Sequence, residues 1–163
     1  MKNRKRGFSL VELLIVLAVI AALIATITPV ALNAIKKAKA TQVAQNLKTL
    51  ASALENKAYV DGFDSTTPTN IKDLAEGTEA IKKLGRDVDE TKYGVYYKKG
   101  TGSDVGKVTV YVLTSEDVSA DEVNKVLDTA TKTNLPSFEG YVKLGKDSFT
   151  GSVLQYTFTF NVY

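Results

Sequence analysis

The feature that most constrains this chain is a run of twenty consecutive uncharged residues, from Leu13 to Leu32, rich in Leu, Ile, Val and Ala. At a rise of about 1.5 Å per residue, the run forms about 30 Å of helix, which is enough to cross a bilayer. A secretory signal peptide has a shorter apolar region followed by a small-residue cleavage site. The run therefore predicts a membrane-spanning helix.

Charges on the two flanks of this run predict how it is oriented. Four cations precede it without an acidic partner: Lys2, Arg4, Lys5 and Arg6. They favour an amino terminus on the cytoplasmic side, although the lysines on the far flank, Lys36, Lys37 and Lys39, weaken the asymmetry. The same four cations account for the net charge of +3, so the charge balance does not indicate nucleic-acid binding by the rest of the chain.

The residue types that most enzymes use are missing from the sequence. The chain contains no Cys and no His. This excludes a thiol nucleophile, a disulfide framework and thiolate-bound metal, and it removes the commonest general base and metal ligand. None of the glycine-rich stretches matches a phosphate-binding loop. We therefore expect a protein that is not an enzyme and has no cofactor.

Two residues in the apolar segment need a specific reason. Glu12 is the single ionisable residue between Phe8 and Leu32, and a carboxylate in a membrane helix is costly unless it is protonated, snorkelled or paired. The simpler alternative places Glu12 at the level of the hydrated headgroups. Pro29 lacks a backbone donor and clashes with the preceding turn, which predicts a helix kink, although membrane helices also tolerate proline.

The sequence Lys5-Arg6-Gly7-Phe8-Ser9-Leu10-Val11-Glu12, followed by the apolar run and Pro29, resembles the amino-terminal signature of type IV pilins and their pseudopilin relatives. The resemblance implies a leader at residues 1–7, which a membrane prepilin peptidase removes by cutting between Gly7 and Phe8, and N-methylation of Phe8. The short leader and Phe8 look like the type IVa subgroup. The resemblance also implies that Glu12 pairs with the amino-terminal charge of Phe8 in a neighbouring subunit during assembly.

In this family the implied role is structural: the major pilin of a type IV pilus-like filament that serves adhesion, motility or DNA uptake. The implied partners are further copies of the chain, prepilin peptidase, and an assembly machinery with an inner-membrane platform and an ATPase. The precursor would be a single-pass protein of the cytoplasmic (inner) membrane, surrounded by lipid, and the assembled subunit would lie in a filament at the cell surface.

Two other functions stay open. The first is a major pseudopilin of a type II secretion system, which we disfavour because the calcium-loop and Asp-Pro-Trp-Gly type sequences of such heads are missing and the chain has no Trp. The second is a minor pilin that acts as a binding module at the tip of a filament.

The remaining sequence predicts an α+β fold. Residues 8–32 form the transmembrane and assembly helix, and residues 33–58 form its amphipathic continuation. Residues 59–163 form a head with an antiparallel sheet of about four strands and short connecting helices. The apolar positions of the amphipathic part recur at helical spacing: Ile35, Val43, Leu47, Leu50 and Leu54.

Runs of β-branched and aromatic residues, bounded by Gly, Ser and Asp, predict the strands of the head at Tyr93–Lys99, Lys107–Thr114, Phe138–Leu144 and Ser152–Val162. In the last run, Leu154, Tyr156, Phe158, Phe160 and Val162 share one face. Turn-forming residues at 100–104 and 145–147 predict two antiparallel hairpins, one between the first two strands and one between the last two. Ser119 and Glu122 have the spacing of a capping box, which predicts a helix that continues through Leu127. Apolar spacing between Ile71 and Leu84 predicts one or two further short helices.

Three features of the sequence outside the apolar run are candidate binding sites. Asp87-Val88-Asp89-Glu90 could contribute to a calcium site, but it lacks the glycine and the spaced bidentate glutamate of an EF-hand, so we interpret it as a solvated acidic turn. Lys36-Lys37-Ala38-Lys39 is interpreted as a juxtamembrane charged face rather than a phosphate site. Four tyrosines are interpreted as strand packing rather than a base-stacking platform: Tyr93, Tyr96, Tyr97 and Tyr111.

Overall fold

The computed structural model describes residues 7–162, which divide into two compact units between Ala38 and Lys39. A long helix, α1, spans Leu10–Val60 and has 51 residues, which confirms the predicted amino-terminal helix. In the first unit every described residue is exposed. Most of the predicted leader, residues 1–6, lies outside the described part of the chain.

In the second unit, α1 buries one face. Its buried residues recur every three or four positions, because that spacing returns a side chain to the same face of a helix: Ala40, Val43, Ala44, Leu47, Leu50, Ala51, Leu54 and Ala58. Ile35, which the sequence pattern places on the same stripe, belongs to the first unit and is 64% exposed. The buried face of α1 therefore begins at Ala40.

The head contains a five-stranded sheet in which every pair of neighbouring strands is antiparallel. Its strands are β1 (Tyr93–Lys99), β2 (Lys107–Thr114), β3 (Thr131–Asn134), β4 (Val142–Gly145) and β5 (Ser152–Asn161). The spatial order is β3-β5-β2-β1-β4. The α+β class and the hairpin between β1 and β2 are thereby confirmed.

Two features of the sheet differ from the prediction. β3 is an additional strand, and all four of its residues are polar and exposed, so it lacks the apolar residues that predict the other strands. β4 begins at Val142 rather than Phe138, and it pairs with β1 rather than with β5. The predicted hairpin at residues 145–147 is therefore wrong: the chain leaves β4 at one edge of the sheet and enters β5 two strands beyond β1.

The short helices are shorter than the sequence pattern predicts. A 3-10 helix spans Thr78–Lys83, a second spans Gly102–Asp104 in the β1–β2 connection, and α2 spans Ala120–Asn124. Ser119 occupies the N-cap position of α2, but its side chain makes no capping hydrogen bond. Val123, Leu127 and Ala130 nevertheless bury their side chains in the main core, which secures the segment between β2 and β3.

The main core lies between the buried face of α1 and the inner face of the sheet. The predicted inner face of β5 is confirmed, since Leu154 and Phe160 are buried in this core and three other side chains pack against it: Tyr156, Phe158 and Val162. Tyr93, Tyr96 and Tyr97 are at most 2% exposed, so packing rather than base stacking is their role. Burial raises the pKa of Tyr97 to about 12, and its hydroxyl oxygen accepts a hydrogen bond from the Ile71 N–H at 2.9 Å.

A smaller apolar cluster covers part of the outer face of the sheet. Tyr96, Leu113 and Val153 are buried in it. Phe138 packs edge-on against Tyr96, with ring centroids 4.8 Å apart, and against Tyr111 at 5.1 Å. Aromatic contacts of this kind add to the effect of area burial. They hold the connection between β3 and β4 against the sheet in a chain that has no disulfide.

Candidate functional site

The first turn of α1 is closed by two reciprocal hydrogen bonds. The Ser9 N–H donates to Glu12 Oε2 at 2.9 Å, and the Glu12 N–H donates to Ser9 Oγ at 3.2 Å. The two bonds satisfy donors that a helix terminus otherwise leaves without a partner, and together they form a capping box. The negative carboxylate also lies at the positive end of the helix dipole. Glu12 therefore has a structural role within its own chain.

Sequence analysis missed this role of Glu12. Ser9-Leu10-Val11-Glu12 has the spacing of a capping box and directly precedes the apolar run, so the signal was present in the sequence. The box that the analysis did predict, at Ser119, lacks the serine side-chain bond that defines it. The difference matters here because the box at Ser9 fixes the direction in which the Glu12 carboxylate lies.

Gly7 and Phe8 precede the helix and are accessible. Phe8 is 77% exposed, and among the described residues beyond its chain neighbours no heavy atom lies within 4 Å of the position that a Cβ on Gly7 would take. The peptide bond between them lies outside the hydrogen-bonded helix, which begins at Leu10. Exposed backbone outside regular structure is where proteases cut most readily. The geometry at this bond is thus compatible with the predicted cleavage.

The helix that follows is apolar all round. By length and composition, α1 is long and apolar enough to cross a membrane, and none of its most apolar window is buried within the protein. Large side chains on every side of it are more than half exposed, among them Leu10, Leu14, Ile24, Ile27 and Val30. Exposed apolar surface of this extent requires either lipid or other protein to cover it.

Pro29 lies inside α1, and the helix is continuous through it. Because Pro29 has no N–H, the helix lacks one backbone hydrogen bond there. Nearby, the Thr26 hydroxyl donates to the Leu23 carbonyl oxygen at 2.9 Å and the Thr28 hydroxyl donates to the Ile24 carbonyl oxygen at 2.7 Å. Bonds of this type bury threonine hydroxyls in apolar surroundings and often accompany a bend. The kink at Pro29 stays a prediction.

The structure places the predicted site residues at two ends of the apolar run. Gly7, Phe8 and Glu12 lie at or before the first turn of α1. Pro29 follows Glu12 by seventeen residues, which corresponds to about 25 Å along the helix axis. The proline therefore belongs to the path of the helix, and the residues predicted for processing and pairing lie at or before its first turn.

In the head, the carboxylates of the Asp87–Glu90 segment are directed to different partners. Asp89 accepts hydrogen bonds from the N–H of Thr91 at 2.9 Å and from its hydroxyl at 2.6 Å, and these bonds hold the pKa of Asp89 below its ordinary value. Glu90 forms an ion pair with Lys82 at 2.8 Å, whose hydrogen bond lowers the pKa of Glu90. Within residues 7–162, no group of three or more potential metal-ligating side chains comes together.

Of the three juxtamembrane lysines, Lys39 belongs to the second unit. Its Nζ lies 3.2 Å from Glu116 Oε2 and donates to the Asp117 carbonyl oxygen at 3.3 Å. Lys36 and Lys37 belong to the first unit. The lysine cluster that the sequence presents as one feature is thus divided between two units, and Lys39 pairs with the segment after β2.

The fold and the first turn together define a class of protein: an α+β head that follows an exposed, membrane-capable helix with an accessible junction before it. Residues 2–28 match the family described as the prokaryotic N-terminal methylation motif. This motif is the prepilin signature of type IV pilins and pseudopilins, and it supports a type IV pilin-like or pseudopilin protein. Searches of curated proteins and of solved structures return no significant match.

The matched segment contains Gly7, Phe8 and Glu12 and ends one residue before Pro29. The motif implies processing by prepilin peptidase and assembly by filament machinery in general. It is found in structural proteins and is not known as an enzymatic motif. The amino-terminal apolar helix is consistent with a membrane-anchored precursor.

Proposed function

We propose that this protein is the major subunit of a type IV pilus-like filament. Prepilin peptidase removes residues 1–7 and methylates the new amino group of Phe8. The mature subunit remains in the membrane until it is added to a filament that extends from the cell surface. Adhesion, motility or DNA uptake are the processes that such a filament serves.

The observation that carries this proposal is the complete exposure of the first part of α1. Every described residue from Gly7 to Lys39 is exposed, although the segment from Leu13 to Leu32 contains no charge. A stable protein does not leave an apolar surface of this size in water. Lipid covers it in the precursor, and the equivalent helices of neighbouring copies replace the lipid in the filament. The membrane thereby serves as the reservoir of subunits.

The first turn of α1 supports a specific contact in that filament. The Ser9 N–H occupies one oxygen of the Glu12 carboxylate, Oε2. Within the described residues, Oε1 makes no hydrogen bond, and a carboxylate has lone pairs enough for several donors. The amino group of a neighbouring Phe8 can therefore pair with Glu12 while the cap of its own helix persists. Two charges that are each costly in an apolar medium become acceptable as a pair.

The test is mass spectrometry of filaments sheared from the cell surface and imaged by electron microscopy. We expect this chain to dominate the preparation and to begin at a methylated Phe8. If it is a trace component of such filaments, it is a minor tip subunit. If it forms only short fibres confined to the envelope, it is a pseudopilin. Retention of Met1 to Gly7 in assembled subunits would contradict the cleavage.

A further inference from the structure

Two exposed lysines lie together on the outer face of the sheet, at the end of the β1–β2 hairpin. Lys98 on β1 pairs with Thr109 on β2, and Lys107 lies two residues before Thr109 on the same strand. Because Tyr97, Val108 and Val110 are buried in the main core, the alternation of the strands directs Lys98 and Lys107 to the opposite face. Both side chains are exposed.

These lysines border a surface cavity of about 240 Å³, which Thr109 and Tyr141 also line. Within residues 7–162, neither ammonium has a carboxylate within 4 Å. Lys98 lies over the Tyr141 ring, 5.6 Å from its centroid. Asp104 lines the same cavity without forming an ion pair with either lysine. Lys98 and Lys107 therefore present positive charge outward; we call this pair and its cavity the basic end.

The opposite end of β2 leads into an acidic segment. Five carboxylates and one lysine lie between Glu116 and Asp128. Glu116 is neutralised by Lys39 and Lys92, and Glu122 pairs with Lys125. The remaining three carboxylates are exposed and form no ion pair within the described part of the chain: Asp117, Asp121 and Asp128. We call these three residues the acidic end.

The head therefore carries opposite charges near the two ends of β2. Lys107 begins the strand and Thr114 ends it, so the two charged ends are separated by about 25 Å at the rise of an extended strand. A two-fold dimer would also bring each basic end against an acidic end, but the proposed filament relates successive subunits by one repeated displacement. In such a filament the contact is heterologous, because the basic end of one copy meets the acidic end of the next.

The geometry points to a head-to-head docking surface in which the basic end of one copy binds the acidic end of a neighbouring copy. This inference rests on the proposed filament function and adds a second, electrostatic contact to the packing of the helices. When the same displacement relates each subunit to the next, a contact between two different patches repeats along the assembly. The result is an open filament rather than a closed ring. Complementary charge also fixes the register and excludes arrangements in which like charges meet.

The experiment compares full-length variants in cells that lack the wild-type copy. One variant carries Lys98→Glu and Lys107→Glu, a second carries Asp121→Lys and Asp128→Lys, and a third combines all four changes. A control matched to the first variant carries Lys72→Glu and Lys132→Glu, which lower the net charge by the same amount at exposed positions outside both ends. Filament yield after shearing is measured beside the membrane pool of mature subunit, and the resistance of the head to limited proteolysis reports its folding.

Each two-residue reversal is expected to lower filament yield about tenfold, because like charges then face each other at every subunit addition. The combined variant is expected to recover most of the yield, and the control to match the wild type. Wild-type yield from either reversal overturns the inference. So does failure of the combined variant to recover, or a defect confined to the lysine variant, which would indicate a different anionic partner.

The two proposals fail separately. Wild-type cells that form no filaments of this subunit contradict the proposed function, whereas filaments that tolerate the reversals contradict only the docking surface. If a reversed head loses its resistance to proteolysis, the neutral changes Lys98→Gln with Lys107→Gln and Asp121→Asn with Asp128→Asn replace it. Each neutral pair is then expected to lower the yield about threefold, since attraction is lost without repulsion. Unchanged yield in both overturns the inference.

Discussion

Ser9 and Glu12 hold each other through two reciprocal hydrogen bonds, from the Ser9 N–H to Glu12 Oε2 at 2.9 Å and from the Glu12 N–H to Ser9 Oγ at 3.2 Å. The carboxylate is therefore oriented before any neighbour arrives. A group that is already held in place loses less conformational freedom when it forms an intersubunit contact. The same residue thus begins the helix and, in our proposal, receives the amino group of the next subunit.

Replacement of Ser9 by Ala should loosen the first turn. The change removes the hydroxyl that accepts the Glu12 N–H, and loss of an N-cap side chain costs about 1 kcal/mol. We expect amide hydrogen exchange at Glu12, whose N–H donates to Ser9 Oγ, to become about fivefold faster in detergent micelles. Ser9→Thr keeps a capping hydroxyl and is the matched control. Identical exchange in the Ala and Thr variants would contradict the role of the cap.

Replacement of Glu12 by Ala should block polymerisation while leaving membrane insertion, leader cleavage and the head intact. Removal of one partner from a buried ion pair costs about 3 to 5 kcal/mol, and this cost recurs at each subunit addition. Insertion should become easier, because a costly carboxylate is removed. Surface filaments are quantified beside the membrane pools of precursor and mature subunit.

Two further variants sharpen this result. Glu12→Gln retains hydrogen-bonding atoms without the charge and should be intermediate or similarly defective. Glu55→Ala removes a carboxylate from the same helix at a half-buried position in the second unit and should assemble normally. Normal filaments built from Glu12→Ala subunits alone would show that the carboxylate is only interfacial.

The sequence predicted the elements of the head better than their pairing. Runs of β-branched and aromatic residues identified β1, β2 and β5 because each strand buries apolar side chains, and burial is what an apolar pattern records. It missed Thr131–Asn134, whose residues are all exposed and which forms a strand by backbone pairing with β5. No side-chain pattern reports a contact made by backbone alone.

The error at β4 has a different physical cause. The pattern indicates which residues face the core, but not which strand lies beside them. After Gly145 the chain does not turn back: Phe149 packs over Gly94, where a Cβ would lie 2.9 Å from the Phe149 ring, and joins the outer apolar cluster. Gly145, at φ +83°, approaches the Tyr93 carbonyl too closely for a side chain. These long-range contacts place β4 at the edge of the sheet, beside β1.

The candidate site was predictable because it is local. Gly7, Phe8 and Glu12 lie within six consecutive residues, so the sequence alone shows that they are neighbours at the first turn of the helix. The charged ends of the head were not predictable in the same way. Lys98 and Lys107 are nine residues apart in sequence and become neighbours only when β1 and β2 pair.

A chain that begins at Ala34 should fold as a soluble head without detergent. All described residues before Ala40 are exposed, so the truncation removes no buried side chain from the second unit. We expect a single cooperative thermal transition, measured by circular dichroism. A truncation that begins at Lys48 lacks the buried Ala40, Val43, Ala44 and Leu47 and should aggregate. Aggregation of the longer product would contradict this boundary.

The last prediction concerns Glu116, which accepts ion pairs from Lys39 at 3.2 Å and Lys92 at 3.1 Å and so joins α1 to the segment after β2. Partial burial raises the pKa of Glu116, but the hydrogen bonds from Lys92 and Lys39 outweigh it, and the pKa lies below its ordinary value. A carboxyl group with a lowered pKa stabilises the folded state fully above its unfolded pKa. This stabilisation disappears as the pH falls through the folded value.

Glu116→Gln should therefore reduce the free energy of unfolding of the soluble head by about 1 kcal/mol near pH 7, a modest value because Lys39 and Lys92 are about half exposed. The difference from wild type should shrink as the pH falls below about 4, where the wild-type glutamate becomes protonated as well. Denaturant unfolding at a series of pH values measures both effects. Asp117→Asn is the matched control, because Asp117 is exposed and forms no ion pair within residues 7–162, and it should leave the stability of the monomer unchanged. A Glu116→Gln difference that stays constant between pH 3 and pH 7 would show that shape, rather than charge, determines the contribution of this residue.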